Sequence, residues 1–290
     1  MKTLREFVLS SQQFVVAHRG SSGTAPENTL SALREAIATG AKMMEIDVRL
    51  TSDNEVVLLH DHVMGRTTSG SGKMQSMTWA QLQQLDAGSW FGAGFAGERI
   101  PHLREALALL REHECYVNIE IKPPSATDNA ADRVERIVKV VEEQNMLQNT
   151  LFGSFHHESL RALKAHHPTA HTAAIMVPGD KRMPSEIAAA IGCEAFVCSL
   201  RECTHKRVND AVDHGLYVGV YGVDTEEQLH KVLKYNVSAI VTNFPQRIFA
   251  ALPAGSDSDK RSGKASSKSS VKASSRSGSG SAKVQAAKRA

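Results

Sequence analysis

The sequence predicts an α/β protein folded as a (β/α)8 barrel, and three observations support this prediction. Short apolar runs alternate along the chain with helix-like patterns, which favours parallel strands joined by helical crossovers. The foldable part of the chain is roughly 250 residues long, a common length for one TIM barrel. Several apolar runs also end in charged or histidine residues, as expected where strand ends line a catalytic mouth.

Nine strand-like runs can be recognised, one more than an eight-stranded barrel requires. They lie near residues 14–18, 43–49, 56–60, 116–121, 150–155, 171–177, 195–199, 216–221 and 238–242. Only residues 51–55 separate the second run from the third, too few for a parallel crossover, which needs a dozen or more. These two runs are therefore expected to form a hairpin, whose second arm is an addition to a distorted barrel.

Helix patterns lie between most of the runs. Leu30, Leu33 and Ala36 form one apolar stripe, and Thr225 with Gln228 matches a capping box at the start of a later helix. The segment 61–114 is too long for one βα unit, so we expect a small insertion there, beside or over the mouth of the barrel. The predicted catalytic barrel domain covers residues 1–253.

Residues 254–290 have a different composition, rich in Ser, Lys, Ala, Gly and Arg. They carry nine basic and two acidic residues, whereas the rest of the chain carries 25 basic and 29 acidic residues. The net charge of +3 therefore comes from the tail, and it is no argument that the barrel binds nucleic acid. We expect a disordered cationic tail that contacts nucleic acid or anionic surfaces weakly at most.

The sequence favours a cytoplasmic location. The first residues contain no apolar run of the length that a signal peptide needs, and no stretch of ~18 apolar residues could span a membrane. Cys115, Cys193, Cys198 and Cys203 form no CxxC pair, so free thiols in a reducing compartment are expected.

Two of the predicted strands carry acidic residues on one face. Because alternate residues of a strand point the same way, Glu45 shares a face with Asp47, and Asn118 shares a face with Glu120 and Lys122. The intervening apolar residues are expected to pack on the outer helices. The polar faces would then point into the barrel, toward its catalytic end.

Three inward carboxylates need neutralisation in a poorly solvated place. A bound cation is the simplest remedy, and all-oxygen ligands favour Mg²⁺ or Ca²⁺ over zinc. Salt bridges with Arg19, Arg49 or Lys122 are the alternative.

His18 and His60 both end apolar runs, where they would suit a general acid and a general base. Arg19 and Lys122 would supply the positive charge that a phosphate group requires. Together with a metal ion, these groups describe phosphodiester cleavage. The residues do not decide which histidine is the acid.

An ordered set of motifs closely resembles the glycerophosphodiester phosphodiesterases, from about residue 14 to residue 248. The motifs are His18-Arg19-Gly20, Pro26-Glu27-Asn28-Thr29, Glu45-Ile46-Asp47-Val48, His60-Asp61, Arg66-Thr67-Thr68 and Ile119-Glu120-Ile121-Lys122. The resemblance implies a distorted TIM barrel that hydrolyses small glycerophosphodiesters to sn-glycerol 3-phosphate and an alcohol such as choline or ethanolamine. By motif position, it implies a metal held by Glu45, Asp47 and Glu120, acid/base catalysis by His18 and His60, and phosphate binding by Arg19 and Lys122.

Two segments depart from the family pattern. Where the family often has Trp-Thr-Val-Asn, the chain reads Tyr221-Gly222-Val223-Asp224, and where it often has Thr-Asp-x-Pro, the chain reads Thr242-Asn243-Phe244-Pro245. Neither change removes an implied metal ligand or histidine, so both bear on substrate preference. Tyr221 is a candidate to offer its ring or hydroxyl to the substrate.

Two other functions remain open. One is a lysophospholipase D-type hydrolase acting on longer lipids, and the other is a non-catalytic barrel that binds phosphate compounds or nucleic acid with help from the tail. Hydrolysis could also use water directly or pass through a cyclic phosphate formed by the glycerol 2-hydroxyl.

Overall fold

The computed structural model describes residues 1–124 and 129–252, which form a barrel of parallel strands inside a ring of helices. The strands are β1 (Phe14–His18), β2 (Met43–Leu50), β3 (Val56–Leu58), β4 (Val63–Met64), β5 (Gly72–Lys73), β6 (Tyr116–Ile121), β7 (Thr150–Ser154), β8 (His171–Ile175), β9 (Ala195–Ser199), β10 (Tyr217–Tyr221) and β11 (Ala239–Thr242). The helices are α1 (Leu4–Ser10), α2 (Leu30–Ala38), α3 (Trp79–Leu82), α4 (Leu103–Glu112), α5 (Ala130–Glu143), α6 (His157–His166), α7 (Pro184–Ile191), α8 (His205–Asp213), α9 (Glu226–Val232) and α10 (Pro245–Ala251). Short 3-10 helices span Met74–Ser76, Ala93–Phe95 and Leu147–Asn149.

Eight strands close the barrel in the order β1, β2, β6, β7, β8, β9, β10 and β11. Closure occurs because β1 pairs in parallel with both β2 and β11. The register sets His18 beside Glu45 and Asp47 beside Glu120. The predicted (β/α)8 barrel is therefore confirmed, and its closure brings the first and last strands of the chain together.

The ninth strand is the hairpin arm that the short connection at 51–55 predicts. β3 pairs antiparallel with the end of β2, with Val48 opposite Leu58. Asn54 takes a left-handed conformation in the tight turn, with a φ of 64°. β3 is thus an addition outside the barrel, and it carries the chain toward His60 beside the mouth.

The main core lies between the strands and the helix ring. Met44, Ile46 and Ile119 are fully buried and pack with Leu107 of α4 and Ile137 of α5. These residues alternate with the acidic positions of β2 and β6, so the acidic faces point into the barrel as expected. The alternating pattern of β2 and β6 therefore determines that their carboxylates lie on the inner face of the barrel.

The insertion between β3 and α4 has a small core of its own. Leu59, Met64, Met74 and Leu82 are buried there, and β4 pairs antiparallel with β5. The range proposed for the insertion, 61–114, also includes α4. That helix packs against β3, β6, α2 and α5, so it belongs to the ring, and the inserted part ends near residue 102.

Helix α1 covers the opposite, amino-terminal end of the barrel. Leu4 is buried there with Val16 and Met43, and the ring of Phe7 stacks on Tyr116 with centroids 4.4 Å apart. No helix among the described residues is long and apolar enough to cross a membrane. The four cysteines are free and buried. The predicted tail at 254–290 lies outside the described residues.

Candidate active site

A cleft opens at the carboxyl-terminal end of the barrel, where parallel strands bring their last residues to one mouth. It has a volume of about 210 Å³. Its walls include seven of the eight candidate site residues: His18, Arg19, Glu45, His60, Glu120, Lys122 and Tyr221. The eighth, Asp47, is fully buried, and its carboxylate lies within 4.8 Å of those of Glu45 and Glu120.

The turn after β1 is built from two residues in the left-handed region, Arg19 with a φ of 57° and Gly20 with a φ of 79°. A Cβ atom on Gly20 would lie only 2.6 Å from the carbonyl carbon of Ala32, so a side chain there would collide with helix α2. This tight turn directs the Arg19 backbone N–H to Glu45, where it donates to Oε2 over 3.0 Å. The His18-Arg19-Gly20 turn therefore positions the backbone at the edge of the site, beside Glu45.

Three carboxylates meet on the floor of the cleft. Oxygen atoms of Glu45, Asp47 and Glu120 lie within 4.8 Å of one another, and all three residues are buried. Asn28 holds the central carboxylate in place, because its Nδ2 donates to Asp47 Oδ2 over 2.8 Å and its Oδ1 accepts the Asp47 backbone N–H over 3.0 Å. The cluster is therefore preorganised by a residue of the β1–α2 loop.

Two of the three cations considered as salt-bridge partners contact the cluster. Lys122 Nζ lies 2.7 Å from Asp47 Oδ1 and also contacts Glu120. Arg19 Nε lies 3.1 Å from Asp47 Oδ2. Arg49 instead donates to the backbone carbonyl of His60, over 3.0 Å from Nε and 2.7 Å from Nη2.

Two cations against three carboxylates leave the cluster one positive charge short. Burial, with Asp47 and Glu120 nearby, raises the pKa of Glu45 well above its usual range. Burial also opposes ionisation of Asp47, but Lys122 and Arg19 outweigh it and hold the pKa of that carboxyl below its usual value.

Glu45 also has an oxygen atom without a hydrogen-bond partner. Oε1 of Glu45 is buried and accepts no hydrogen bond. A buried carboxylate oxygen in this state is costly, and a cation bound between the three carboxylates would relieve it. An all-oxygen donor set of this kind fits a hard divalent cation.

His18 lies at the end of β1, beside the carboxylates. Its Nε2 is 3.8 Å from Glu45 Oε2, and its Nδ1 is 2.7 Å from Asn243 Oδ1. Burial and the neighbouring charge of Arg19 lower the pKa of His18 to about 4. The ring is therefore neutral at pH 7 in this arrangement.

His60 follows β3 on the other side of the mouth, and its Nδ1 lies 2.7 Å from Asp61 Oδ1. Partial burial opposes ionisation of Asp61, but hydrogen bonds from Arg66 and His60 lower its pKa to about 2. Arg66 also pairs with Glu27 over 2.7 Å, and Glu27 accepts from Arg19 over 2.8 Å. A chain of charges thus joins the insertion to the loop after β1.

Tyr221 ends β10 and is half-buried on the wall of the cleft. Its ring meets Phe155 edge to face, with centroids 6.4 Å apart. Burial raises the pKa of its hydroxyl. The structure thus places an aromatic wall here, formed by Tyr221 with Phe155.

On sequence alone, the segments with Asp224 and Asn243 bear on substrate preference and Arg66 belongs to a motif, but no contact with the histidines is predicted. In the structure Asn243 contacts His18, Asp224 contacts Asn243, and Arg66 contacts Asp61 behind His60. Asn243 and Asp224 follow the ends of β11 and β10, so the rule that identified His18 applies to them as well. Arg66 lies on the insertion, and its contact with Glu27, 39 positions away, depends on how that insertion folds against the loop after β1.

Comparison with known proteins identifies the family of the chain. The model of the glycerophosphoryl diester phosphodiesterase family matches residues 18–247. The chain belongs to this family. A glycerophosphodiester phosphodiesterase of Caldanaerobacter subterraneus subsp. tengcongensis is 33% identical over 245 residues, which cover 83% of this chain and 98% of that protein.

Solved structures of the family share the barrel. An Oleispira antarctica phosphodiesterase in complex with the product sn-glycerol-3-phosphate is 30% identical, with a TM-score of 0.78 over 86% of this chain and 99% of that one. The glycerophosphodiester phosphodiesterase of Agrobacterium tumefaciens is 28% identical, with a TM-score of 0.71 over 83% of this chain and all of that one. The protein is therefore a phosphodiesterase of this family by sequence and by fold.

Proposed function

We propose that this phosphodiesterase hydrolyses small glycerophosphodiesters to sn-glycerol 3-phosphate and an alcohol. The observation that carries the proposal is the convergence of three buried carboxylates, two cations and two histidines on one cleft. Each chemical need of phosphodiester hydrolysis has a candidate group there. The product complex of the Oleispira antarctica relative supports the choice of substrate.

Glu45, Asp47 and Glu120 would hold a divalent cation, either Mg²⁺ or Ca²⁺. The partnerless Oε1 of Glu45 and the charge imbalance of the cluster support this assignment. When bound, such an ion would neutralise charge on the phosphoryl oxygens. The remaining steps fall to side chains of the protein.

Arg19 and Lys122 would orient the phosphate by donating to its oxygens, since both lie on the wall of the cleft. One histidine would accept a proton from the nucleophile, and the other would donate a proton to the leaving alkoxide. The nucleophile is either water or the glycerol 2-hydroxyl. Tyr221 would form a wall against the substrate.

We favour a compact diester over a lysophospholipid, because the relatives that the chain resembles are named glycerophosphodiester phosphodiesterases and one was solved with sn-glycerol-3-phosphate. Rates on glycerophosphocholine and lysophosphatidylcholine separate these two substrates. The non-catalytic alternative is disfavoured by the family and by the assembled site. The free, buried cysteines support the proposal of a cytoplasmic location.

The direct test is release of glycerol 3-phosphate by metal-stripped protein, with Mg²⁺ and then Ca²⁺ added back. We expect release from glycerophosphocholine or glycerophosphoethanolamine only when metal is present. Glu45→Gln should abolish release, while Glu112→Gln, an exposed change on α4, should not. Full activity of the stripped protein or of Glu45→Gln would contradict the metal site, and no release with either ion would contradict the substrate.

A further inference from the structure

The two segments that depart from the family pattern meet behind His18. Asp224 follows β10, Asn243 follows β11, and these strands are neighbours in the barrel. Asn243 Nδ2 donates to Asp224 Oδ2 over 2.8 Å, and Asn243 Oδ1 lies 2.7 Å from His18 Nδ1. The three side chains therefore form one continuous chain of hydrogen bonds.

Asp224 determines which way the amide of Asn243 faces. A carboxylate only accepts hydrogen bonds, so the amide nitrogen must face Asp224 and the amide oxygen must face His18. The opposite orientation would set two oxygen atoms against each other at 2.8 Å. The Asp224 carboxylate, which contacts His18 only through Asn243, thus orients the amide, and Ser22 Oγ supports the same orientation by donating to Asn243 Oδ1 over 2.8 Å.

The amide orientation in turn selects the tautomer of His18. An amide oxygen only accepts, so the hydrogen between the two residues belongs to His18 Nδ1. In the neutral ring, Nε2 then has no hydrogen, and its lone pair faces the cleft on the side of Glu45. This is the form that can accept a proton from a nucleophile.

The carboxylate of Asp224 is itself firmly held. Its Oδ1 accepts from the Thr242 hydroxyl over 3.0 Å and from the Asn243 backbone N–H over 2.8 Å. Its own backbone N–H donates to Gln228 over 2.7 Å. Together with the Asn243 amide, which donates to Oδ2, three donors fix the carboxylate.

We propose that Asp224, acting through Asn243, is a positioning residue that sets the tautomer and orientation of His18. The inference rests on the proposed catalytic role of His18. The family pattern that the chain resembles has Asn in the first segment and Asp in the second, and here the acid and the amide are exchanged. The exchange keeps one carboxylate and one amide in the pair, so it preserves the chain of hydrogen bonds.

The test introduces the residues of the family pattern, Asn at position 224 and Asp at position 243, singly and together. In Asp224→Asn an amide nitrogen would face the amide nitrogen of Asn243, where neither can accept. In Asn243→Asp two carboxylates would repel each other. Each single variant should therefore misplace the hydrogen on His18. We expect each to lower kcat at least about 10-fold with KM within about 2-fold, because general acid–base catalysis is worth 100-fold or more. The double variant restores a donor against an acceptor and should return the hydrogen to His18 Nδ1, so its kcat should recover above that of either single variant.

A second readout does not depend on turnover. In protein with ¹⁵N-labelled histidine, the His18 signals, assigned by their loss in His18→Gln, should show hydrogen on Nδ1 in the parent and the double variant. Asp224→Asn should shift the population toward hydrogen on Nε2. An unchanged tautomer in Asp224→Asn would overturn the inference.

Gln228→Ala is the matched control, because it loosens the same loop without touching the amide–carboxylate contact. It should lower the melting temperature and leave kcat unchanged. A kcat as low as that of Asp224→Asn would make the role of Asp224 structural and overturn the inference, as would failure of the double variant to recover. Activity of His18→Gln would instead overturn the proposed role of His18 itself.

Discussion

His18 and His60 face the same cleft, but different parts of the molecule hold them. His18 ends a barrel strand, and its Nδ1 meets the neutral amide of Asn243 over 2.7 Å. His60 lies beyond the barrel on the hairpin side, and its Nδ1 meets the carboxylate of Asp61 over the same distance. One partner comes from the strand that closes the barrel, and the other is tied to the insertion.

This difference suits the two histidines to opposite tasks. A carboxylate against Nδ1 stabilises the imidazolium and so favours a ring that gives up a proton from Nε2. Burial, together with Lys122 and Arg19, lowers the pKa of His60 as well, but the hydrogen bond to Asp61 opposes that shift. His18 has only the neutral amide of Asn243 at Nδ1, and burial with Arg19 nearby lowers its pKa to about 4. We therefore expect His60 to act as the general acid and His18 as the general base.

The largest effect should come from removing either ring. His18→Gln and His60→Gln should each lower kcat on glycerophosphocholine by roughly 10²- to 10⁴-fold, the usual contribution of acid–base catalysis. A substrate with a p-nitrophenol leaving group needs no general acid, so it should rescue His60→Gln and leave His18→Gln inactive. Rates on the two substrates check both expectations.

Rescue of His18→Gln in place of His60→Gln would reverse the roles, and equal rescue of both would remove the distinction. His113→Gln changes an exposed histidine at the end of α4 and should leave both rates unchanged. It therefore controls for a general effect of the substitution.

The next effect should come from the carboxylate behind His60. Asp61→Asn removes the charge that stabilises the imidazolium, so the pKa of His60 should fall and less of it should be protonated at neutral pH. We expect kcat to drop by about 10- to 100-fold and the alkaline limb of the pH–rate profile to move to lower pH. Asp53→Asn, on the nearby hairpin turn, should change neither, and an alkaline limb that stays in place would argue against His60 as the acid.

Much of the fold can be predicted from local patterns in the sequence. The alternation of runs predicts the barrel, and the short connection at 51–55 predicts the hairpin arm. Strand periodicity predicts that Glu45 and Asp47 share the inner face. All of this follows from local spacing, because strand and helix periods repeat over a few residues.

The partners of the histidines depend on long-range closure. His18 and Asn243 are 225 positions apart, and they meet only because β1 pairs with β11. The end of the insertion was missed for a similar reason. An amphipathic helix such as α4 has the same pattern in an insertion or in the ring, and only its contacts with β6 and α5 decide between them.

A smaller effect is expected at Arg66, which joins Asp61 to Glu27. Arg66→Ala should lower kcat by only a few fold, since its side chain is 47% exposed and exposed ion pairs are weak. The melting temperature should hardly change. Arg99→Ala, an exposed arginine of the same insertion, is the matched control. A loss as large as that of Asp61→Asn would mean that the insertion, and not Asp61 alone, places His60.

The smallest effect on turnover should come from the far end of the barrel. Leu4 of α1 is 3% exposed and packs beneath β1, the strand that carries His18. Leu4→Ala should cost about 2–3 kcal/mol of stability through the cavity that it leaves. That loss should lower the melting temperature by roughly 5–10 °C. Leu9→Ala, on the same helix but 64% exposed, should cost less than about 0.5 kcal/mol.

Neither change should alter kcat at a temperature where the protein stays folded, because stability and chemistry occupy opposite ends of this barrel. Thermal unfolding and kcat, measured on both variants, separate these effects. If Leu4→Ala lowered kcat as well, the strand that carries His18 would be sensitive to packing at its far end. His18 would then be held by the whole barrel and not by Asn243 and Asp224 at the mouth.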